Sequence, residues 1–275
     1  GRGGPVQTGG CVVMHGSASQ RERRLGLGPR SWMLVFTAII LAFLELGPRF
    51  GLIDPFSLPP LSGILVRAAQ LLVDPGFWSH HLGPSLLAIM LAFVFAAILG
   101  IAVGLILWRF GFMRRIFDPW LSIYYAIPTF ALYPLLVVIA GIGLVPVILL
   151  GTLLAIVSVI TATLDGLDSI PPITIKLAQA LQLSTTDYVL KILIPATLSQ
   201  IVVGLRLALS FSIIGVMASE FILSTYGLGY FISYAYDHFS QNDMYAGIVI
   251  VLCFALGVNY LCGLLLHGRS MRTSL

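Results

Sequence analysis

Residues 165–200 read DGLDSIPPITIKLAQALQLSTTDYVLKILIPATLSQ, a polar island between two strongly apolar stretches, and they hold both lysines of the chain, Lys176 and Lys191. Pro171 and Pro172 follow Ser169, which predicts a helix start, because proline suits a first turn and a serine hydroxyl can cap it. Ser184-Thr185-Thr186-Asp187 has the spacing of a capping box, with Asp in place of the usual Glu or Gln. The island therefore predicts a helix from about Thr174 to Leu183, a kink at Gln182 to Ser184, a second helix and a stop at Pro195. A helix kept in a loop between membrane spans is either a docking surface or an amphipathic segment lying on the bilayer.

The flanking sequence is membrane sequence. Trp120 to Leu164 carries no charge over 45 residues, too long for one crossing at about 20 residues per helix. Gly141-Ile142-Gly143 with Pro146 divides it into spans three and four, joined by a tight turn. Pro128 and Pro134 break span three and free backbone carbonyls, which is tolerable only beside protein or a water-filled cavity. The remaining spans are drawn at Ser31 to Leu46 (extendable through Phe50 to Ile53), Leu82 to Trp108, Leu205 to Leu223 and Ala246 to Leu266. Gly100 and Gly104 form a GxxxG that marks close helix packing. The fold class is all-α, a six-span bundle in one domain, residues 31–275, with the island at 165–200 as its cytoplasmic loop. Residues 1–30, Gly- and Ser-rich at first, read as a disordered tail, with Met14 a candidate start and no apolar core long enough for a signal peptide.

Composition agrees: 58% of residues are hydrophobic and 9% charged, and mean hydropathy is +1.00, far from a soluble protein with about a quarter of its residues charged. The net charge of +4 does not imply nucleic acid, because the basic residues sit at segment ends and form no stripe with interleaved aromatics. Placing both termini in the cytoplasm leaves only Arg49 and Arg67 outside and puts the other 13 of the 15 basic residues inside. Cys11, Cys253 and Cys262 show no metal-ligand spacing. His80-His81 and His238 fall in outside loops. Neither a GxxxxGK[ST] loop nor a GxSxG elbow occurs, so the chain has no phosphate-cradling loop of its own.

A few polar residues within the spans are candidates. Glu220 is the one acid clearly inside a span, which costs a few kcal/mol unless it faces protein or water. It either shapes a path near its outer end or accepts hydrogen bonds from Tyr226, Tyr230 or the backbone of the following turn. Tyr124, Tyr133, Thr152, Ser158, Thr161, Ser210 and Ser212 either line a path or make interhelical hydrogen bonds. Tyr133, Ser158, Ser212 and Glu220 are the path candidates. Arg206, at the inner end of span five, reads as a snorkelling interfacial side chain. Glu45 lies at a membrane boundary.

The blocks around the island resemble the permease subunits of type I, binding-protein-dependent ABC importers, in the nitrate/sulfonate/taurine branch. They are Ile127-Pro128-Thr129-Phe130-Ala131-Leu132-Tyr133-Pro134-Leu135-Leu136 with Gly141-Ile142-Gly143 before it. After it come Gly204-Leu205-Arg206-Leu207-Ala208-Leu209, Ile214-Gly215-Val216, Ala218-Ser219-Glu220 and Gly227-Leu228-Gly229-Tyr230. The family's cytoplasmic loop carries Glu-Ala-Ala, a later glycine and a hydrophobic-Pro ending. Here Lys176-Leu177-Ala178, Gln182 and Ile194-Pro195 stand at those places, so the second Ala and the Pro match while the Glu and the Gly do not.

The resemblance implies a permease of the bacterial plasma (inner) membrane, in two copies around a shared path. It further implies a cytosolic ABC ATPase that holds the ATP and Mg²⁺, with no cofactor on this chain, and an extracytoplasmic binding protein that delivers a small anion or organic acid. The island then becomes an ATPase-coupling loop through Ile175, Lys176, Ala178, Ala180, Leu181, Gln182 and Pro195, with Ile175, Ala178, Leu181 and Gln182 on one docking face. The outside loops Gly47 to His81 and Thr225 to Asp243 are where a binding protein would touch. Membrane lipid is a partner and nucleic acid is not. The rival class is an ATP-independent secondary transporter or channel, which would want paired intramembrane acids and an inverted repeat. A membrane-embedded enzyme would want a nucleophile–base pair in the spans.

Overall fold

A computed structural model describes residues 29–124, 126–182 and 184–270, apart from a few side chains. The expected tail, residues 1–28 above all, lies outside the described residues. Within them the structure is helical, with no strand. The helices are α1 (Pro29–Arg49), α2 (Leu61–Val73), α3 (Pro75–Phe77), α4 (Gly83–Arg109), α5 (Gly111–Tyr124), α6 (Tyr133–Ala140), α7 (Leu144–Asp168), α8 (Pro172–Ala180), α9 (Thr185–Tyr188), α10 (Ile194–Leu223), α11 (Leu228–Asp237) and α12 (Gln241–Ser270). Among the described residues, five helical runs are long and apolar enough to cross a membrane, and six do if a bent pair counts as one. That pair is the third span: α5 and the run from Thr129 to Ala140 meet at 96° across the segment that contains Pro128. Gly141, at φ +78, makes the turn into α7, a conformation open to glycine at little cost.

α7 is the centre, packed between α4 and α10 through small residues. A Cβ on Gly100 would lie 2.6 Å from Val159 Cβ, and one on Gly104 would lie 2.8 Å from Thr163 Cβ, so the GxxxG is a packing seam as expected. On the other side of α7, a Cβ on Gly204 would meet Ala162 Cβ at 2.2 Å, and one on Gly215 would meet Gly151 Cα at 2.8 Å. In lipid the hydrophobic effect does not drive helices together, and close backbone approach of this kind supplies the dispersion contacts that do.

Three departures come from prolines and loops. Pro195 does not stop a helix; it sits in the first turn of α10, after a π turn at Val189–Leu193 in which Ile194 N–H reaches back to Val189 O. The wider turn makes room for a ring that would otherwise press on the preceding carbonyls. The same arrangement precedes Pro84, where Gly83 N–H bonds to Trp78 O, so His80 and His81 belong to a helical turn rather than a loop. The segment 47–81 contains α2, whose Ile64, Ala68 and Leu71 are buried and which packs on α12. Glu45 has a definite role there: its carboxylate accepts from Ser62 N (2.8 Å) and Ser62 Oγ (3.0 Å), tying α1 to the first turn of α2.

Candidate functional site: the coupling helix and the Glu220 corner

The island begins where α7 ends. Ser169 does not cap the next helix; its hydroxyl donates to Gly166 O at 2.6 Å and finishes α7. Arg114 of α5 grips the same end, with Nη1 2.7 Å from Asp168 Oδ1 and Nη2 on Oδ2. In α8, Ala178 is buried against its own chain, which corrects the expected docking face. The exposed apolar stripe is Ile173 (71%), Leu177 (57%) and Leu181 (63%), spaced four apart on one side of the helix. Lys176, Ala180 and Gln182 are exposed as expected, and the Ile175 side chain lies outside the described residues.

The kink has a specific cause. Gln182 adopts φ +49, the left-handed conformation that ends a helix and that glycine takes without a Cβ penalty. Gln182→Gly is therefore expected to stabilise this turn by about 1 kcal/mol, which a higher thermal midpoint of the purified protein checks. Beyond the kink the predicted cap is present: Asp187 N–H donates to Ser184 Oγ at 3.1 Å, and the Ser184 hydroxyl donates to Asp187 Oδ2 at 2.9 Å. Aspartate, shorter than glutamate, meets the serine hydroxyl.

Glu220 lies 1% exposed near the C-terminal end of α10. The Ser85 hydroxyl lies 2.8 and 2.7 Å from its two oxygens, and Gly229 N–H donates to Oε2 at 2.9 Å. Ser85 Oγ in turn accepts from Leu228 N–H at 2.7 Å. The carboxylate thus sits at the N-terminus of α11, where backbone donors and the helix dipole favour an anion, and ties α4, α10 and α11 together. The chain reaches this geometry through Gly227, at φ +100, where a Cβ would lie 2.3 Å from Glu220 Cδ. The expected backbone donor is there, and the hydroxyl that meets the carboxylate belongs to Ser85, not to Tyr226 or Tyr230. Ser85 was not anticipated, although it is the one hydroxyl between Leu82 and Trp108 and an intramembrane acid demands a donor.

Of the path candidates, Tyr133 (1%), Ser158 (2%), Ser212 (0%) and Glu220 (1%) are all buried within the chain in this conformation. The hydroxyls are mainly bonded within their own helices. Ser158 donates to Ala155 O (2.7 Å), Thr161 to Val157 O (3.0 Å) and Thr152 to Ile148 O (2.8 Å). Thr152 also lies 3.4 Å from Ala92 O of α4, and Tyr124 donates across to Leu153 O at 2.8 Å.

A pattern of apolar helices around a small-residue seam, with one exposed amphipathic helix on its polar side, suits a transport subunit. Residues 92–269 match the family described as binding-protein-dependent transport system inner membrane component. The chain belongs to that family. The permease is 32% identical to the taurine transport system permease protein TauC of Escherichia coli (strain K12), over 74% of this chain and 76% of that protein. It is 29% identical to the putative aliphatic sulfonates transport permease protein SsuC of Bacillus subtilis (strain 168), over 85% of each. It is 30% identical to the nitrate import permease protein NrtB of Leptolyngbya laminosa, over 68% of this chain and 66% of that one. The permease also shares its fold with the inward-facing methionine ABC transporter MetNI, at a TM-score of 0.60 and 21% identity, covering 71% of this chain and 98% of that chain. The assignment to type I importer permeases, and to the nitrate/sulfonate/taurine branch, rests on these matches.

The segment that leads into α4 converges with the segment that links α10 to α12. Arg67 of α2 pairs with Asp243, Tyr245 donates to Ser57 O at 3.2 Å, and Gly227 N–H donates to His80 O at 3.1 Å. Between them is a cleft of about 390 Å³ whose lining includes Phe56, Arg67, Phe239 and Asp243.

Proposed function

We propose that this permease is the membrane subunit of an ATP-driven importer for a small anion or organic acid of the nitrate, sulfonate or taurine kind. A binding protein delivers the solute to the outer cleft, and a cytosolic ABC ATPase, holding ATP and Mg²⁺, drives transport from the inner side. Two copies of the chain flank one path. The observation that carries the coupling role is the Ile173–Leu177–Leu181 stripe, apolar surface left open on a short helix of the polar side. Exposed apolar rows of this sort dock into grooves as helix faces do. Lys176, exposed beside the stripe and standing where the family has Glu, calls for a carboxylate opposite it in the ATPase groove.

Orientation follows the distribution of basic residues, with both termini and the 165–200 segment in the cytoplasm. In a background with the native cysteines replaced, Ser240→Cys is expected to react with an impermeant thiol reagent in intact cells and Ser184→Cys only after permeabilisation. Labelling of Ser184→Cys from outside would overturn the orientation and remove the docking surface from reach of an ATPase.

A further inference from the structure

We infer that Arg206, held by Asn259, selects anions on the translocation path; this rests on the importer reading above. The long α10 alters the setting of this side chain. Because the helix begins at Ile194, Arg206 is three turns inside it rather than at its end. Gly204 packs on Ala162 and Ser158 of α7, and Ala162 precedes Asp168 by six residues, so Arg206 lies on the order of 12 Å outward of Asp168 along the bundle. That depth is hydrocarbon for a residue facing lipid.

The side chain is exposed on the single chain, and its Nε donates to Asn259 Oδ1 of α12 at 2.9 Å. This fixes the guanidinium sideways against α12, where a Cβ on Gly263 would still be 4.0 Å from Nη2. None of the ion pairs among the described residues includes Arg206. The same strip of α10 carries exposed Ser199 and half-exposed Ser210, whose hydroxyl lies 3.4 Å from Arg206 O. A charged group at such depth faces protein or water, because lipid cannot solvate it. The own chain leaves this strip uncovered, so the water or protein is contributed by the path and the second copy. With Nε engaged, the fork of Nη1 and Nη2 donors fits two oxygens of a sulfonate or nitrate group, a geometry that lysine lacks. A tethered, water-exposed cation of this kind attracts an anion without trapping it, as conduction requires.

Ser210→Cys, four residues outward of Arg206 on the same strip, reads the site without knowledge of the solute. In the complex with its ATPase, with native cysteines replaced, it is treated with the anionic sulfonatoethyl and the cationic trimethylammonioethyl methanethiosulfonates, with and without ATP. Labelling in at least one nucleotide state is expected, with the anionic reagent favoured about fivefold relative to its rate on free thiol. Arg206→Gln should bring that ratio close to unity and Arg206→Lys should keep most of it. No labelling by either reagent in any state, a ratio at or below unity with Arg206 present, or a ratio unchanged by Arg206→Gln would each overturn the proposal. The solute is tested separately, with nitrate, ethanesulfonate and taurine in proteoliposomes containing the binding protein. Arg206→Gln is expected to lower ethanesulfonate uptake about tenfold, with Arg206→Lys intermediate, and undiminished uptake by Arg206→Gln would also overturn the proposal. Failure of the unaltered complex to move any of the three, with the labelling ratio intact, would instead overturn the solute class and leave the electropositive strip standing.

Discussion

Glu220→Leu is expected to remove most of the folded permease, whereas Glu220→Gln should retain much of it. Leucine strands Gly229 N–H and the Ser85 hydroxyl in a buried corner, at about 1–3 kcal/mol for each stranded group. It also withdraws the negative charge from the start of α11. Glutamine has the same size and keeps a carbonyl oxygen for Gly229 N–H. Its amide can donate to Ser85 Oγ, provided that the serine hydroxyl, which already accepts from Leu228 N–H, turns its own hydrogen elsewhere. The measurements are yield after size exclusion, thermal midpoint in detergent and uptake. If both variants fold normally and neither transports, the carboxylate acts on the solute and the structural role assigned here is wrong.

The second large effect concerns coupling. Leu177→Arg places a charge at the centre of the exposed stripe, and Leu181→Arg places one at its end. A charge buried without a partner in a docking groove costs about 2 kcal/mol or more, enough to weaken the ATPase complex roughly thirtyfold. Both variants should therefore purify as folded permease with little ATPase and little uptake. Ala178→Leu is the contrast, because Ala178 is 4% exposed and a larger side chain there strains the permease's own packing. It should lower the folded yield. Normal uptake by Leu177→Arg and Leu181→Arg together would mean that α8 is not the docking element.

Much of this architecture was legible from local chemistry. Run lengths placed the spans, the Ser184–Asp187 spacing placed a cap, Gly141 placed a turn, and Pro128 placed the break in the third span, since each is settled by a few adjacent residues. What tertiary structure alone decided concerns faces and long-range partners. In a soluble helix the apolar side marks the core, but in lipid both the packed and the lipid-facing sides are apolar, so the pattern does not say which way a residue turns. That is why Tyr133, Ser158 and Ser212 looked available to a path and are enclosed, and why Ala178 faces inward while Leu177 does not. The pairing of Glu220 with Ser85 joins residues 135 positions apart, and only the packing of α4, α10 and α11 brings them together. The start of α10 is hidden from the sequence for a related reason: a proline in the first turn is compatible with a helix, and a π turn beyond reach of periodicity carries α10 back to Ile194, three turns before Arg206.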